Sequence, residues 1–296
     1  MKQKKNGGKI PKKRRAKKRK KSIKKIYTEK IEPQEQSTIQ SQRVFSNFAN
    51  KTKNVFRKIK LLKKLPKAKT GIIGLDNMIG GGFERNSTNL LVGATGSGKS
   101  ILALQFLLEG IKNNEGVLYI TFEEKKGEFY ANMQKLGWDL EDLEKSEKFI
   151  FLEYSPEKVK MMLDEGGGAI ESTVLKHNIK RMVIDSITSF SLLFDDPLSK
   201  REANLGLFDI ISKWNCTTLL TAQHNPLKEK SDEMDTMDFE ADSVIFLYFV
   251  RTKNKRQRFI EIVKMRGTDH SKEMHSFEIT KKGIKIGRAT DIKLKD

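Results

Sequence analysis

A glycine-rich segment in the first third of the chain places the strongest constraint on its fold. Residues Gly93 to Ser100 read G-A-T-G-S-G-K-S and match the pattern G-x-x-x-x-G-K-[ST]. An apolar run at Asn89–Val92 comes before this segment, and apolar residues at helical spacing follow it, at Ile101, Leu104, Leu108 and Ile111. A strand, a glycine turn and a helix in this order predict a phosphate-binding loop, because the N–H groups of the turn and of the helix N-terminus face the same anion.

Apolar runs after the loop predict strands that alternate with helices. Helical spacing is visible at Phe129, Met133 and Leu136, and Gly137 is predicted to end that helix. Such alternation indicates parallel strands joined by right-handed crossovers, and therefore an α/β sheet flanked by helices. Beyond Ser243 strand-type runs follow one another, which predicts that antiparallel hairpins complete the sheet. The predicted strands are 117–122, 149–152, 182–184, 217–220, 243–250, 257–265 and 275–279.

Positive charge is concentrated at the N-terminus. Residues 1–66 contain 24 Lys and Arg against three Glu, whereas the remaining chain contains 34 basic and 35 acidic residues. Like charges at this density repel one another and leave little apolar surface to bury, so residues 1–42 are predicted to be a disordered polybasic arm and linker. Residues 43–69 are predicted to be a basic segment with amphipathic helical spacing, and residues 70–296 the folded domain.

Three roles are open for the polybasic arm: a solvated tail, a contact for nucleic acid, or a contact for an anionic membrane surface or acidic protein. Residues 12–21 contain nine cations, which suits the closely spaced phosphates of a duplex. The first 26 residues contain no aromatic side chain that would stack on a base. Nucleic-acid binding by the arm is therefore expected to be independent of sequence.

Cysteine content and hydropathy exclude several classes of protein. Cys216 is the only cysteine, so neither an intrachain disulfide nor a cysteine-built metal site can form. No apolar run approaches the ~20 residues that a membrane-spanning helix needs. We expect a cytoplasmic protein without a transmembrane segment.

The phosphate-binding loop predicts ATP and Mg²⁺ as ligands. Lys99 is expected to reach the β- and γ-phosphates, and the Ser100 hydroxyl to hold Mg²⁺. Asp185 ends the apolar strand 182–184, the position of an aspartate that orients Mg²⁺, although an aspartate there can also cap the following turn. The predicted nucleotide-binding residues of the loop and helix start are Gly93, Ala94, Thr95, Gly96, Ser97, Gly98, Lys99, Ser100 and Ile101.

Polar residues follow two further strands at the same predicted sheet edge. Glu123 and Glu124 come after the second strand, where a carboxylate can polarise the attacking water, or can simply cap the next helix. Gln223 follows the fifth strand, where its amide can sense the γ-phosphate or open a surface loop. The residues alone leave both pairs of alternatives open.

These motifs together resemble the KaiC family of RecA-type proteins, which are relatives of the RadA recombinases. The resemblance runs from about Thr70 to Gly287. Its most specific stretch is Lys264-Met265-Arg266-Gly267-Thr268-Asp269-His270. The others are Gly74-Leu75-Asp76 with Gly80-Gly81-Gly82, Thr121-Phe122-Glu123-Glu124 followed by Leu136-Gly137-Trp138-Asp139, Ile184-Asp185-Ser186, and Phe277, Ile279, Thr280 with Gly283-Ile284.

The resemblance implies a RecA-type P-loop NTPase fold and a homo-oligomeric ring, usually of six subunits, with ATP bound between neighbours. In such a ring one subunit supplies the phosphate loop and the pair Glu123 and Glu124 as catalytic residues. The adjacent subunit supplies Lys264 and Arg266 as catalytic cations, and Thr268 and His270 as nucleotide contacts. Cations delivered across an interface neutralise charge in the transition state of phosphoryl transfer.

The sequence departs from the family pattern at several positions. Glu84-Arg85-Asn86 follows Phe83, where the family usually has a proline and a glycine, and Lys281 stands at an often acidic position. The chain has room for one such domain, whereas KaiC itself has two and phosphorylates itself in the second. No clear counterpart of that C-terminal phosphorylation segment is visible, so the resemblance does not carry over clock function.

Three functions are compatible with the sequence. The first is a slow, Mg²⁺-dependent, ring-forming ATPase, which the Glu pair and the two cations favour. The second is an ATP-dependent switch or scaffold without hydrolysis that serves a motor or signalling complex. The third is a recombinase- or helicase-like ATPase acting on DNA; the acidic loop 225–239, followed by Glu240, is an unfavourable surface for a phosphate backbone and counts against it.

Overall fold

The computed structural model describes residues 66–155, 157–158, 161, 165, 168–228, 237–252 and 255–290. The predicted arm and linker over 1–42 and most of the basic segment over 43–69 lie outside these residues. The described fold begins at Pro66, and a bridge between Ala68 and Phe83 ties its first residues to the segment before β1.

One mixed sheet organises the described residues, with strand order β3-β2-β4-β5-β1-β6-β7-β8-β9. All neighbouring pairs from β3 to β6 are parallel, and the pairs β6–β7, β7–β8 and β8–β9 are antiparallel. This confirms the predicted α/β sheet with C-terminal antiparallel strands. The strands are β1 (Thr88–Gly93), β2 (Gly116–Thr121), β3 (Phe149–Glu153), β4 (Ile179–Asp185), β5 (Thr217–Gln223), β6 (Ser243–Thr252), β7 (Lys255–Met265), β8 (His275–Thr280) and β9 (Gly283–Ala289).

Helices cover both faces of the sheet and form two apolar cores. One face packs against α1 (Ile73–Met78), α2 (Lys99–Lys112), α3 (Lys126–Gln134) and α4 (Leu140–Lys145). The other face packs against α5 (Gly168–Lys176), α6 (Ile187–Ser191) and α7 (Pro197–Lys213). Successive residues of β1 serve opposite cores, since Leu91 packs in the first and Leu90 and Val92 pack in the second. Among the described residues no helix is long and apolar enough to cross a membrane.

The buried face of the helix that follows the phosphate loop differs from the one its apolar spacing predicts. Leu104 is fully buried as that spacing indicates, but Ile101, Leu108 and Ile111 are only partly buried, whereas Leu102 and Phe106 are fully buried. The last strand of the sheet also contacts this helix. The side chain of Gln105 donates to the Gly71 carbonyl and accepts from the Ile284 N–H in β9.

A buried arginine ties β4 to the start of the fold. The guanidinium of Arg181, 1% exposed, pairs with Glu115 and donates to the carbonyls of Phe106 (2.9 Å) and Lys69 (2.5 Å). A Cβ at Gly110 would lie 2.7 Å from the Arg181 Cδ, so only glycine fits beside it. Burial favours the neutral acid, but hydrogen bonds from Arg85 and Arg181 outweigh it and lower the pKa of Glu115.

We expect Arg181→Met to lower the free energy of unfolding by about 3 kcal/mol, because it leaves buried carbonyls and part of the Glu115 carboxylate without donors. Arg85→Met is the matched control, since Arg85 contacts the same carboxylate but its side chain is 22% exposed. We expect that control to cost less than about 1 kcal/mol. Urea unfolding of the three proteins measures both values, and equal losses would contradict the assigned role of burial.

Candidate functional site

Four chain segments converge at the carboxyl edge of the parallel strands. The phosphate loop follows β1, Glu123 and Glu124 follow β2, Asp185 ends β4 and Gln223 ends β5. The register aligns these ends, because Thr121 pairs with Asp185 and Gly93 pairs with Gln223. Ligands of open α/β sheets bind at this edge, so the sheet brings these predicted residues to one place.

The phosphate loop depends on glycine where the backbone is left-handed or crowded. Gly96 and Gly98 have φ angles of +77° and +106°. A Cβ on Gly93 would lie 2.7 Å from the Leu247 carbonyl oxygen of β6, which excludes any other residue there. The loop leads directly into the 14-residue helix α2, whose N-terminal dipole points at the same space.

Lys99 lies folded into the mouth of the loop. Its ammonium donates to the carbonyls of Gly93 (2.8 Å) and Ala94 (3.3 Å). Burial lowers the pKa of Lys99, and the carboxylates of Asp185 and Glu123 oppose that change. A partly desolvated cation bound only to neutral carbonyls gains more from an anion than from its present partners.

The Asp185 carboxylate joins three elements at the site. One oxygen accepts hydrogen bonds from the hydroxyls of Ser100 (2.7 Å) and Tyr119 (2.6 Å), and the other accepts from Thr221 (2.5 Å). Burial and the neighbouring charge of Asp185 raise the pKa of Tyr119 well above its usual value, so its phenol remains a donor. The aspartate is thus held by hydroxyls from α2, β2 and β5.

The oxygens of Ser100 and Asp185 suit Mg²⁺. This ion prefers oxygen ligands and is commonly held by one or two protein groups, with waters and substrate phosphates completing its shell. Within the residues that the structure describes, no group of three or more His, Cys, Asp or Glu side chains is placed to hold a metal. A magnesium ion here would therefore depend on nucleotide phosphates for its remaining ligands.

The two adjacent glutamates have different surroundings. The Glu123 carboxylate accepts from the hydroxyls of Ser186 and Ser189, in the segment after β4. The Glu124 carboxylate accepts from Asn132 at 3.1 Å, and burial raises its pKa. The alternative of helix capping finds no support in these contacts, because the first N–H of α3, at Lys126, donates instead to Glu153.

Gln223 contacts the phosphate loop directly. Its side-chain amide donates to the Thr95 hydroxyl at 2.8 Å, and its backbone N–H donates to the Thr188 hydroxyl at 2.8 Å. The amide of this exposed residue therefore lies against the loop. That position gives it access to whatever the loop binds.

Lys264 and Arg266 lie at the opposite edge of the sheet from the loop of their own chain. Lys264 pairs with Val244 of β6. The neighbouring residue of β6, Ser243, pairs with Asn89, which lies four residues before the start of the loop at Gly93. Four strand residues span ~13 Å. The two cations donate to carbonyls of residues 238–240, and Arg266 also lies 3.6 Å from the Asp242 carboxylate.

Thr268 and His270 are also at that opposite edge and have internal partners. The Thr268 hydroxyl donates to Glu84 (2.9 Å) and accepts from Lys67 (2.8 Å). The His270 Nδ1 lies 2.9 Å from the Ser271 carbonyl. A single chain therefore brings together the loop, Asp185, the Glu pair and Gln223, and holds the other four predicted residues elsewhere.

Several residues at the site were not identified from the sequence. Tyr119 and Thr221 have the apolar or β-branched character of ordinary strand residues, Ser186 was noted only as part of the stretch around Asp185, and Ser189 has no distinctive pattern. Arg258, which donates to the Gly96 carbonyl of the loop, lies 162 residues further along the chain. Only the strand register reveals these contacts.

Comparisons with known proteins agree with this arrangement. Residues 68–291 match the family model described as "ATPase: KaiC". The circadian clock protein KaiC3 of Synechocystis sp. is 34% identical over 230 residues, covering 75% of this chain and 46% of KaiC3. A UPF0273 protein of Thermotoga maritima is 31% identical over 235 residues, covering 75% of this chain and 96% of that protein.

A solved structure extends the comparison to the fold. The crystal structure of a KaiC-like protein from Pyrococcus horikoshii OT3 superposes with a TM-score of 0.67 at 33% identity, covering 75% of this chain and 99% of that one. This likeness confirms the predicted RecA-type fold. The chain spans a little under half the length of KaiC3, and nearly the full length of the single-domain relatives.

We expect Lys99→Ala to weaken ATP binding at least about 30-fold, because truncating one partner of a desolvated charge pair usually costs 2 kcal/mol or more. Lys112→Ala removes the same charge from the last turn of the same helix, where the side chain is 73% exposed, and should leave affinity unchanged. Calorimetry with ATP and Mg²⁺ measures both, and circular dichroism checks that the fold is retained. Equal affinities in the two variants would contradict the assigned site.

Proposed function

The chain belongs to the KaiC family of ATPases, and from that premise we propose that it is a slow, Mg²⁺-dependent ATPase whose subunits form a ring with ATP bound between neighbours. The observation that carries the proposal is the meeting of Lys99, Ser100 and Asp185 with the pair Glu123 and Glu124 at one edge of the sheet. Binding groups and a candidate general base are then adjacent, as hydrolysis of a phosphoanhydride requires.

Substrate binding follows from the loop and helix α2. The N–H groups of the loop and of the helix N-terminus would surround the phosphates, and Lys99 would leave its two carbonyl partners for the more strongly accepting phosphate oxygens. Ser100 and Asp185 would hold Mg²⁺, exchanging the hydrogen bond that joins them. When bound, Mg²⁺ supplies neutralisation of charge on the phosphate oxygens.

The Glu pair would orient and deprotonate the attacking water. Glu123 is fixed by two hydroxyls, which suits a positioning role for its carboxylate. Glu124 accepts from Asn132, and burial raises its pKa above the ordinary value of a glutamate. A base whose pKa approaches the working pH is the more effective proton acceptor, so we assign proton removal to Glu124 and alignment to Glu123.

Charge neutralisation in the transition state is assigned to Lys264 and Arg266 of a neighbouring subunit. Within one chain these cations lie at the sheet edge opposite the loop, so intramolecular delivery would require the sheet itself to rearrange. A ring in which the opposite edge of one subunit faces the loop of the next supplies them without such a change. Burial, reinforced by Arg266, lowers the pKa of Lys264, and an anionic phosphate would favour its charged form.

A second candidate, the switch without hydrolysis, is supported by one observation. The hydroxyls of Ser186 and Ser189 both donate to Oε1 of Glu123, so one of the two carboxylate oxygens that could orient a water is already occupied. Such a protein would bind ATP and change its assembly without releasing phosphate. The two candidates therefore differ in turnover and agree in binding.

We expect a Glu123→Gln, Glu124→Gln double variant to bind ATP with unchanged affinity and to hydrolyse it at least ~10²-fold more slowly, the scale of a lost general base. Glu124→Gln alone should also remove the acidic limb of the pH–rate profile, since burial raises the pKa of Glu124 and so moves its protonation to higher pH than that of an exposed glutamate. Phosphate release across pH 4–8 measures both effects. Unchanged rates would refute the roles, and a wild type without release would establish the switch.

We expect Arg266→Ala to be inactive alone but to regain turnover when mixed with the Glu-pair variant. Mixed assembly creates interfaces in which one subunit supplies an intact Glu pair and the next supplies an intact Arg266. Phosphate release is measured as a function of mixing ratio, with light scattering to establish co-assembly. Co-assembly without recovered turnover would show that Arg266 acts within its own subunit.

A further inference from the structure

An arginine from the antiparallel part of the sheet donates hydrogen bonds to the backbone of the phosphate loop. Arg258, on β7, donates from Nε and Nη2 to the Gly96 carbonyl at 3.2 and 3.0 Å. Burial lowers the pKa of this guanidinium, but the ordinary pKa of arginine is so high that the group stays charged at physiological pH. Two charged donors on one carbonyl make this a strong contact with the middle of the loop.

An aromatic ring fixes the orientation of that guanidinium. Phe249 is the residue of β6 that pairs with Arg258, and the guanidinium carbon lies 4.2 Å from the centre of its ring. The same ring reaches Gly96, where atoms of Phe249 would lie 3.6 and 3.7 Å from an added Cβ. Phe249 therefore packs against both the arginine and the glycine that the arginine contacts.

The contact fixes one peptide unit of the loop at both of its polar ends. Arg258 holds the Gly96 carbonyl, and the N–H of the same peptide, on Ser97, donates to the Ala94 carbonyl at 3.2 Å. Gln223 holds the neighbouring Thr95 through its hydroxyl. A loop held in this way loses less conformational entropy when it closes around phosphates than a free glycine-rich loop would.

We propose that Arg258, stacked on Phe249, is a positioning residue that keeps the phosphate loop in its binding shape and thereby sets the affinity for nucleotide. This rests on the proposed binding of ATP at the loop. Because Arg258 acts on a backbone carbonyl, its effect should be the same for ADP and ATP. Replacing Arg258 should raise KM and leave kcat unchanged, because this is the pattern when a lost interaction was equally present in the ground and transition states.

Arg256 provides a matched control. It lies two residues away on the same face of β7, and its guanidinium is 5.2 Å from the centre of the same Phe249 ring. Among the hydrogen bonds of the described residues, none joins Arg256 to the loop. Replacing Arg256 therefore removes the same charge and a similar aromatic contact but leaves the hydrogen bonds to the Gly96 carbonyl in place.

The experiment measures Kd for ADP and for ATP with Mg²⁺ by calorimetry on the full chain. We expect Arg258→Met to raise both values roughly fivefold, the scale of a charge-assisted hydrogen bond at a half-exposed site, and Arg256→Met to change them by less than about twofold. Phe249→Leu should also weaken the binding of both ADP and ATP. The double variant Phe249→Leu, Arg258→Met should lose less binding free energy than the sum of the losses in the two single variants. Unfolding midpoints measured without nucleotide identify any variant that fails to fold. If Arg258→Met does not fold, the affinity of Phe249→Leu for the two nucleotides supplies the test.

Four results would overturn the proposal: unchanged Kd in Arg258→Met, equal losses in the Arg256 and Arg258 variants, additive effects with Phe249→Leu, or a loss confined to ATP. The last would mean that Arg258 contacts the γ-phosphate. Binding and turnover are measured separately, so a wild type that binds without hydrolysing refutes the ATPase proposal and leaves the affinity test of Arg258 intact. A wild type that binds neither nucleotide overturns both.

Discussion

The Asp185 carboxylate is the interaction on which the site depends. It collects the hydroxyls of Ser100, Tyr119 and Thr221, which come from the helix after the loop and from the strands on both sides of β4. A carboxylate at a largely buried sheet edge is stable only when such donors surround it. Through Ser100 the aspartate also ties the start of α2 to β4, so this end of the helix cannot shift without breaking that hydrogen bond. Local sequence supplies the loop, but Asp185 sets where it lies.

The sequence was sufficient for features whose signals are local. The phosphate loop, the five parallel strands and the turn at Gly137, with its φ of +82°, follow from glycine positions and apolar spacing. Parallel pairing then brings the ends of strands to one edge, which is why Asp185 and Gln223 meet the loop as expected. The helices α1, α4 and α6 have six residues or fewer, too few for a periodic pattern, and their positions could not be predicted.

Features that depend on register were not accessible from the sequence. Strand β9 follows a two-residue turn at Lys281 and Lys282, and its Ile284 N–H donates to Gln105 of α2. Tyr119 and Arg258 act on the site through strands paired far along the chain. Strand β7 joins two roles, because Arg258 near one end contacts the loop and Lys264 near the other faces the opposite edge. Six residues of extended chain, ~20 Å, separate them.

The four predicted residues at the edge opposite the loop differ in how readily their present partners could be exchanged for a nucleotide. Lys264 and Arg266 hold mainly carbonyl oxygens, which a phosphate readily replaces. Thr268 has one hydroxyl hydrogen and gives it to Glu84. The His270 Nδ1 faces a carbonyl, which only accepts, so this nitrogen carries the hydrogen. Its Nε2 lies 3.2 Å from the Lys272 ammonium. In the proposed ring, Thr268 would have to leave Glu84 before its hydroxyl could donate to a neighbour's nucleotide, whereas Lys264 and Arg266 would mainly exchange carbonyl partners.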